Sequence, residues 1–181
     1  YLWHNTFVKS DYTMGTLHFF AKRDDPIAFN LYTSEKNVTI VDGERRDAQT
    51  MTNMDIARLL HNEYGDEFVC TKLSNPSRWF QFKDHRWQET EGGNELRKRI
   101  SDENAVVVTT LNAAYDELLA NRQFVPDFHQ KCTNMKKNIQ RCLSRGYKDN
   151  VLRECCELFY DKDFIEKLNK NKYLIGFTNG V

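Results

Sequence analysis

No charge of one sign dominates this chain: 26 lysines and arginines face 26 aspartates and glutamates, for a formal net charge of zero. A neutral chain has no global field to draw it to nucleic acid or to an anionic membrane, so any such site must be local. Long apolar runs are missing as well. Charged residues interrupt every hydrophobic stretch before it reaches the roughly 20 residues that a membrane-spanning helix requires, so no membrane association is expected. The cysteines are five, an odd number, and Cys132, Cys142, Cys155 and Cys156 fall in helix-like sequence, unlike a secreted disulfide framework. A reducing cytoplasm is the expected setting, and the sequon Asn37-Val38-Thr39 is then a coincidence. The opening Tyr1-Leu2-Trp3 contains no methionine and no apolar signal segment, and the chain reads as a piece cut from a longer one.

Catalytic signatures are scarce too. A nucleotide-hydrolysing motor needs a glycine-rich loop with Lys and Ser or Thr to cradle phosphates, and no Gly-x-x-x-x-Gly-Lys run occurs here. Structural zinc takes closely spaced Cys and His pairs. Only His129 with Cys132 and the adjacent Cys155-Cys156 approach that pattern, and the helical spacing of Cys132, Cys142 and Cys155 with apolar residues assigns these three to the core. None of the five histidines stands in a motif with a plausible nucleophile; His18 and His61 sit in amphipathic stretches. The pairs Asp24-Asp25 and Asp161/Asp163 have the donors for a metal but read as a helix stop and a helix-starting cap. No catalytic residue, cofactor or metal is expected in this segment. The rival reading is a small metal-dependent nuclease acting through one of these acidic clusters.

What is present is enough for one respectable core: 181 residues, 40% hydrophobic and 13% aromatic. Leu17, Phe20 and Ala21 fall on one face of a short helix that Asp24-Asp25-Pro26 should stop. Polar residues dominate from 33 to 50, which marks a mobile connection and the domain boundary. Thr52 with Asp55 three positions on forms a capping box ahead of Ile56, Leu59, Leu60 and Tyr64, predicting a helix over 53–64 that ends at Gly65. The period then changes to two: Trp79-Phe80-Gln81-Phe82 and Arg86-Trp87-Gln88-Glu89 read as a compact aromatic hairpin closed by Gly92-Gly93. Leu96, Ile100, Val107, Leu111, Tyr115 and Leu118 align along one helix from about 94 to 121. A second is expected over 128–144, with Cys132, Met135, Ile139, Cys142 and Leu143 on one arc and Gly146 as terminator. A third, over 149–160, would be capped by Asp149 and bury Val151, Leu152, Cys155, Leu158 and Phe159. A short helix near 163–169 and a strand over 173–177 complete a mainly α chain with a minor β component.

The local electrostatic signal lies between residues 131 and 153. Lys131, Lys136, Lys137, Arg141, Arg145, Lys148 and Arg153 are opposed there by Asp149 alone. Lys137, Arg141 and Arg145 recur every four residues, opposite Met135 and Ile139, as a cationic line that either is simply solvated or follows a phosphate backbone. Arg78 and Arg86 interleave with Trp79, Phe80, Phe82 and Trp87, a mixture able to stack on unpaired bases, although hairpin aromatics normally bury against helices. The candidate nucleic-acid residues are Lys136, Lys137, Arg141, Arg145, Lys148, Arg78 and Arg86.

Trp79-Phe80-Gln81-Phe82, Arg86-Trp87, Glu95-Leu96-Arg97-Lys98-Arg99-Ile100-Ser101 and Leu174-Ile175-Gly176-Phe177-Thr178-Asn179-Gly180-Val181 occur in that order. Gly15-Thr16-Leu17-His18-Phe19-Phe20-Ala21-Lys22-Arg23-Asp24-Asp25-Pro26 precedes them. As a set they resemble the domain preceding the superfamily 3 helicase in primase-helicases of nucleocytoplasmic large DNA viruses, of poxvirus, asfarvirus and giant-virus type, and of phages. The resemblance implies that residues 1–50 are the tail of a primase-side region with its linker, and 51–181 the pre-helicase domain. It implies a role in DNA replication, in the host cytoplasm or at a viral replication site, with weak DNA contact and self-association as a ring in the parent protein. ATP and magnesium would belong to the helicase module of that parent; its phosphate loop and the primase carboxylates have no counterpart in this sequence. A purely structural interaction module without DNA affinity is the remaining alternative.

Overall fold

Thr52 starts the first long helix of the computed structural model, which describes residues 20–29, 32, 51–84, 86–168 and 170. The Thr52 hydroxyl accepts the Asp55 N–H at 3.3 Å, and the Asp55 carboxylate accepts the Thr52 N–H at 2.6 Å. This is the reciprocal cap that the sequence predicts. Helix α1 (Asn53–Tyr64) then buries Ile56, Ala57, Leu59 and Leu60 completely, and ends at Gly65, whose N–H donates to the His61 carbonyl.

Three antiparallel strands follow in the order β1 (Phe68–Lys72), β2 (Arg78–Lys83) and β3 (Arg86–Thr90). β2 and β3 are the expected hairpin, with Phe82 opposite Trp87 and Phe80 opposite Glu89. Strand β1 is an addition. Its five residues offer too short an alternation to stand out, yet Phe68 and Cys70 point inward and are fully buried. The outer edge of β1 is covered: Cys70 donates its N–H to the Phe159 carbonyl at 2.9 Å, and its carbonyl accepts the Asp161 N–H at 3.0 Å. That parallel bridge hides an edge which would otherwise be open to pairing.

The single helix expected over 94–121 is two helices, α2 (Asn94–Arg99) and α3 (Val106–Ala120). The break has a local cause. The Asp102 side chain accepts the Asn104 N–H and its carbonyl accepts the Ala105 N–H, a turn that competes with helix and leaves Ala105 extended before Val106. Ahead of α2, Gly93 has φ +71°, and a Cβ there would lie 3.0 Å from the Trp79 ring and 3.2 Å from Leu152, so both backbone and packing require glycine.

Helix α4 (Phe128–Leu143) matches its expected span, but Leu143 is 64% exposed and Asn138 takes its place on the buried arc beside Cys142. The next boundary is a correction. Gly146 terminates nothing and Asp149 caps nothing, because α5 (Arg145–Leu158) begins directly after Ser144, whose extended backbone (ψ 132°) alone separates the two helices. The short helix after Asp163 is present as α6 (Phe164–Lys167). The stop at Asp24-Asp25-Pro26 is found: the helix ends at Asp24, Asp25 is not helical, and a new one opens at Pro26. Residues 20–24 and 26–29 are both helical, the Asp25 carboxylate accepts the Ala28 N–H at 2.9 Å, and Pro26 takes the first helical position, where its missing N–H costs nothing. Phe20 and Ala21, assigned to an apolar face, are exposed, whereas Phe29 is buried. The strand over 173–177, the start of the first short helix and the boundary within 33–50 lie outside the described residues.

α5 packs on α1, and both join the sheet in a cluster that includes Ile56, Leu60, Phe68, Trp79, Leu96, Val107, Val151, Cys155 and Phe159. The result is a mainly helical fold with a small sheet, the class the sequence implies. Among the described residues no helix is long and apolar enough to cross a membrane.

Candidate nucleic-acid interface

The aromatic hairpin spends its rings on packing. Trp79 is fully buried, 5.7 Å from the Phe159 ring, and its indole N–H donates to Ser77 Oγ at 3.0 Å. Phe80 and the half-buried Trp87 both close on Phe164, at 5.3 and 4.9 Å, and Phe82 lies 5.3 Å from Trp87. Arg78 is committed as well: it forks onto Glu89 through Nε to Oε1 at 3.0 Å and Nη2 to Oε2 at 2.7 Å, above the Phe80 ring. That hydrogen-bonded pair holds the Glu89 carboxyl below the usual range. Arg86 stands exposed at the start of β3.

Of the basic residues of the 131–153 interval, Arg141, Arg145 and Lys148 lie at the corner where α4 meets α5, with Lys137 one turn back, although not as one helical line. Lys137 and Arg141 are exposed on α4; Arg145 follows the break at Ser144 and sits on α5, so the four-residue repeat does not carry across. A different contact joins them. The Arg141 guanidinium lies 4.5 Å over the ring of Tyr147 in the first turn of α5, a cation–π contact that ties the two helix ends together. Burial pushes the Tyr147 hydroxyl up to about 12, so the ring stays neutral beneath the cation. Arg145 keeps 90% of its side chain exposed. Lys148 donates to Ser101 Oγ at 3.2 Å. Lys136 turns toward α3, 5.5 Å from the Tyr115 ring, Lys131 is half-buried and Arg153 is exposed.

One further cation joins this corner. Arg97 of α2 donates from Nε to Asp149 Oδ1 at 2.6 Å, a partner 52 residues away. With Arg145, Lys148 and Asn94 it lines an open cleft of about 470 Å³ whose other walls are Gly92, Asp149 and Leu152. Spacing along one helix cannot reveal such a residue; the visible signal was its place in the run Arg97-Lys98-Arg99.

The remaining groups have structural employment. Burial pushes the Cys142 thiol up to about 11, and Cys155 is likewise raised by burial. The Cys70 thiol is raised by its hydrogen bond to Cys156 and then by burial. Protonated thiols are poor nucleophiles and poor ligands, which covers Cys70, Cys142 and Cys155; the Cys156 thiol is instead lowered by its hydrogen bond with Cys70. All five cysteines are free of disulfides, and among the described residues no group of three or more His, Cys, Asp and Glu could hold a metal. Asp161 starts the turn into α6: one carboxylate oxygen accepts the Asp163 N–H at 2.9 Å and the other the Lys167 ammonium at 2.7 Å.

The family model described as D5 N terminal like matches residues 57–181, and the chain belongs to that family. A protein of Acanthamoeba polyphaga mimivirus named as a putative helicase is 35% identical over 99% of this chain. One of Frog virus 3 with the same designation is 24% identical over 99% of it, and a protein of African swine fever virus named as a putative primase is 23% identical over 73%. The chain spans 18%, 21% and 15% of the length of these relatives. It is thus a domain of a kind found within viral proteins that carry helicase and primase names.

Proposed function

We propose that this domain is an accessory and assembly module of a viral primase-helicase that contacts the DNA backbone at the α4–α5 corner, through Lys137, Arg141, Arg145, Lys148 and Arg97. ATP hydrolysis and primer synthesis, with their ATP and magnesium, belong to other modules of the parent, which works in the host cytoplasm or at a viral replication site. The observation that carries the reading is the meeting of Arg97, Arg145 and Lys148 at one open cleft with Asp149, beside the exposed Lys137 and Arg141, in a chain of zero net charge. Assembly is supported by apolar side chains left outside at the α3–α4 turn, where Phe124 is 84% exposed and Leu119 46%.

The test is the salt dependence of DNA binding. Replacing Lys137, Arg141 and Arg145 by Gln together should flatten the slope of log affinity against log salt by about two to three units, since each phosphate contact releases a counterion. Sequence preference should stay put, because backbone contacts do not read bases. An unaltered slope in the parent protein, where a ring would multiply weak contacts, would remove DNA from the reading and leave an interaction module. Divalent-metal-dependent cleavage of DNA by the purified chain would instead favour the nuclease alternative.

A further inference from the structure

We infer that the cleft between α2 and the first two turns of α5 is a binding site for a single phosphate group, which the Asp149 carboxylate occupies until phosphate displaces it. Three cations from two separate elements converge on the cleft: Arg97 from α2, and Arg145 and Lys148 from α5. One acid answers them. Asp149 Oδ1 sits 2.6 Å from Arg97 Nε, and Oδ2 lies 3.9 Å from Arg145 Nε, so the carboxylate bridges two guanidinium groups. Guanidinium N–H groups donate to carboxylate and phosphate oxygens alike, and a phosphate brings more charge and more acceptors to them. Lys148 donates to the neutral Ser101 hydroxyl and, among the described residues, has no ion pair.

Access is open. Asp149 keeps 44% of its side chain exposed, and at Gly92, the wall opposite, even an added Cβ would meet nothing within 4 Å. The opening of about 470 Å³ admits a phosphodiester with its flanking sugars as well as a terminal phosphate. Asp149 therefore acts as a brake on affinity: every phosphate that enters must first take Arg97 from it. The inference rests on the DNA-contact reading for the source of the phosphate, and not for the existence of the site.

The experiment is a titration of the chain with inorganic phosphate, followed by NMR at the Arg97 and Arg145 Nε–H and the backbone of residues 145–149. Phosphate should shift these signals; Asp149→Asn should bind about fivefold tighter, as expected for removing one partly exposed opposing charge. Lys148→Gln should bind more weakly, with the Arg97–Asp149 pair and the melting temperature intact. Short single strands with a 5′-phosphate or a 5′-hydroxyl then separate the sources: preference for the former assigns a terminal phosphate, and equal binding at these residues an internal phosphodiester. No shift at residues 97 and 145–149 in either the wild type or Asp149→Asn overturns the site, even if DNA binds through Lys137 and Arg141. Weaker phosphate binding by Asp149→Asn overturns the brake. Phosphate shifts that persist while the triple Gln variant leaves the DNA salt slope unchanged would uphold the site and end the DNA reading.

Discussion

Two arginines that the sequence offers to nucleic acid, Arg78 on the sheet and Arg145 at the α4–α5 corner, stand in opposite circumstances. Arg78 has both arms of its fork on Glu89 and an aromatic ring beneath it. Arg145 has one distant carboxylate at 3.9 Å and 90% of its side chain in solvent. Arg78 and the hairpin rings are spent inside the sheet region, whereas at the corner Arg145 and Lys148 share the cleft at Asp149 with Arg97. A cation's partner, and not its count in a window, decides whether it is available to a ligand.

Breaking the sheet should therefore cost stability and nothing else. Trp79→Ala removes a fully buried ring from the junction of sheet and α5, and should lower the unfolding free energy by about 3 to 5 kcal/mol in a denaturant titration; a neutral outcome would mean that the hairpin is not part of the core. Arg78→Gln opens an exposed ion pair, so the unfolding midpoint should barely move and the salt slope of DNA binding should not move at all. A flattened slope would place the sheet in the interface and cancel the contrast with Arg145.

The smallest effect concerns pH. His61 packs edge-on against Phe159 at 4.9 Å, and burial lowers its pKa from 6.5 despite the opposing pull of Asp66. Its neutral form is the one the fold prefers, so the unfolded chain binds more protons. Stability from this group is present above pH 6.5 and is lost as pH falls through the lowered folded value. Thermal melts should show a small decline over that window that His61→Phe removes; an identical decline in the variant would assign it to other groups.

Much of this was legible in one dimension. The Thr52 and Asp55 cap, the apolar period of α1, the β2–β3 hairpin and the span of α4 rest on neighbours three or four residues apart, or on strict alternation, and all are found. The failures share a cause as well. The α2–α3 break turns on the Asp102 side chain choosing a local turn over the helix; β1 acquires its identity from partners at Trp79, Phe80 and Phe159; Arg97 finds Asp149 across 52 residues. The same blindness produced the Gly146 error. Nothing in Ser-Arg-Gly-Tyr tells that Ser144 alone turns the chain, because the turn is fixed by the packing of α5 on α1.

The bridge between Cys70 and Tyr160 also bears on how β1 is completed during synthesis. It joins positions ninety residues apart, so β1 cannot gain its outer neighbour until the chain has been made through the end of α5, and closing so long a loop costs conformational entropy before any contact repays it. During synthesis the outer edge of β1 therefore lies open until that segment emerges.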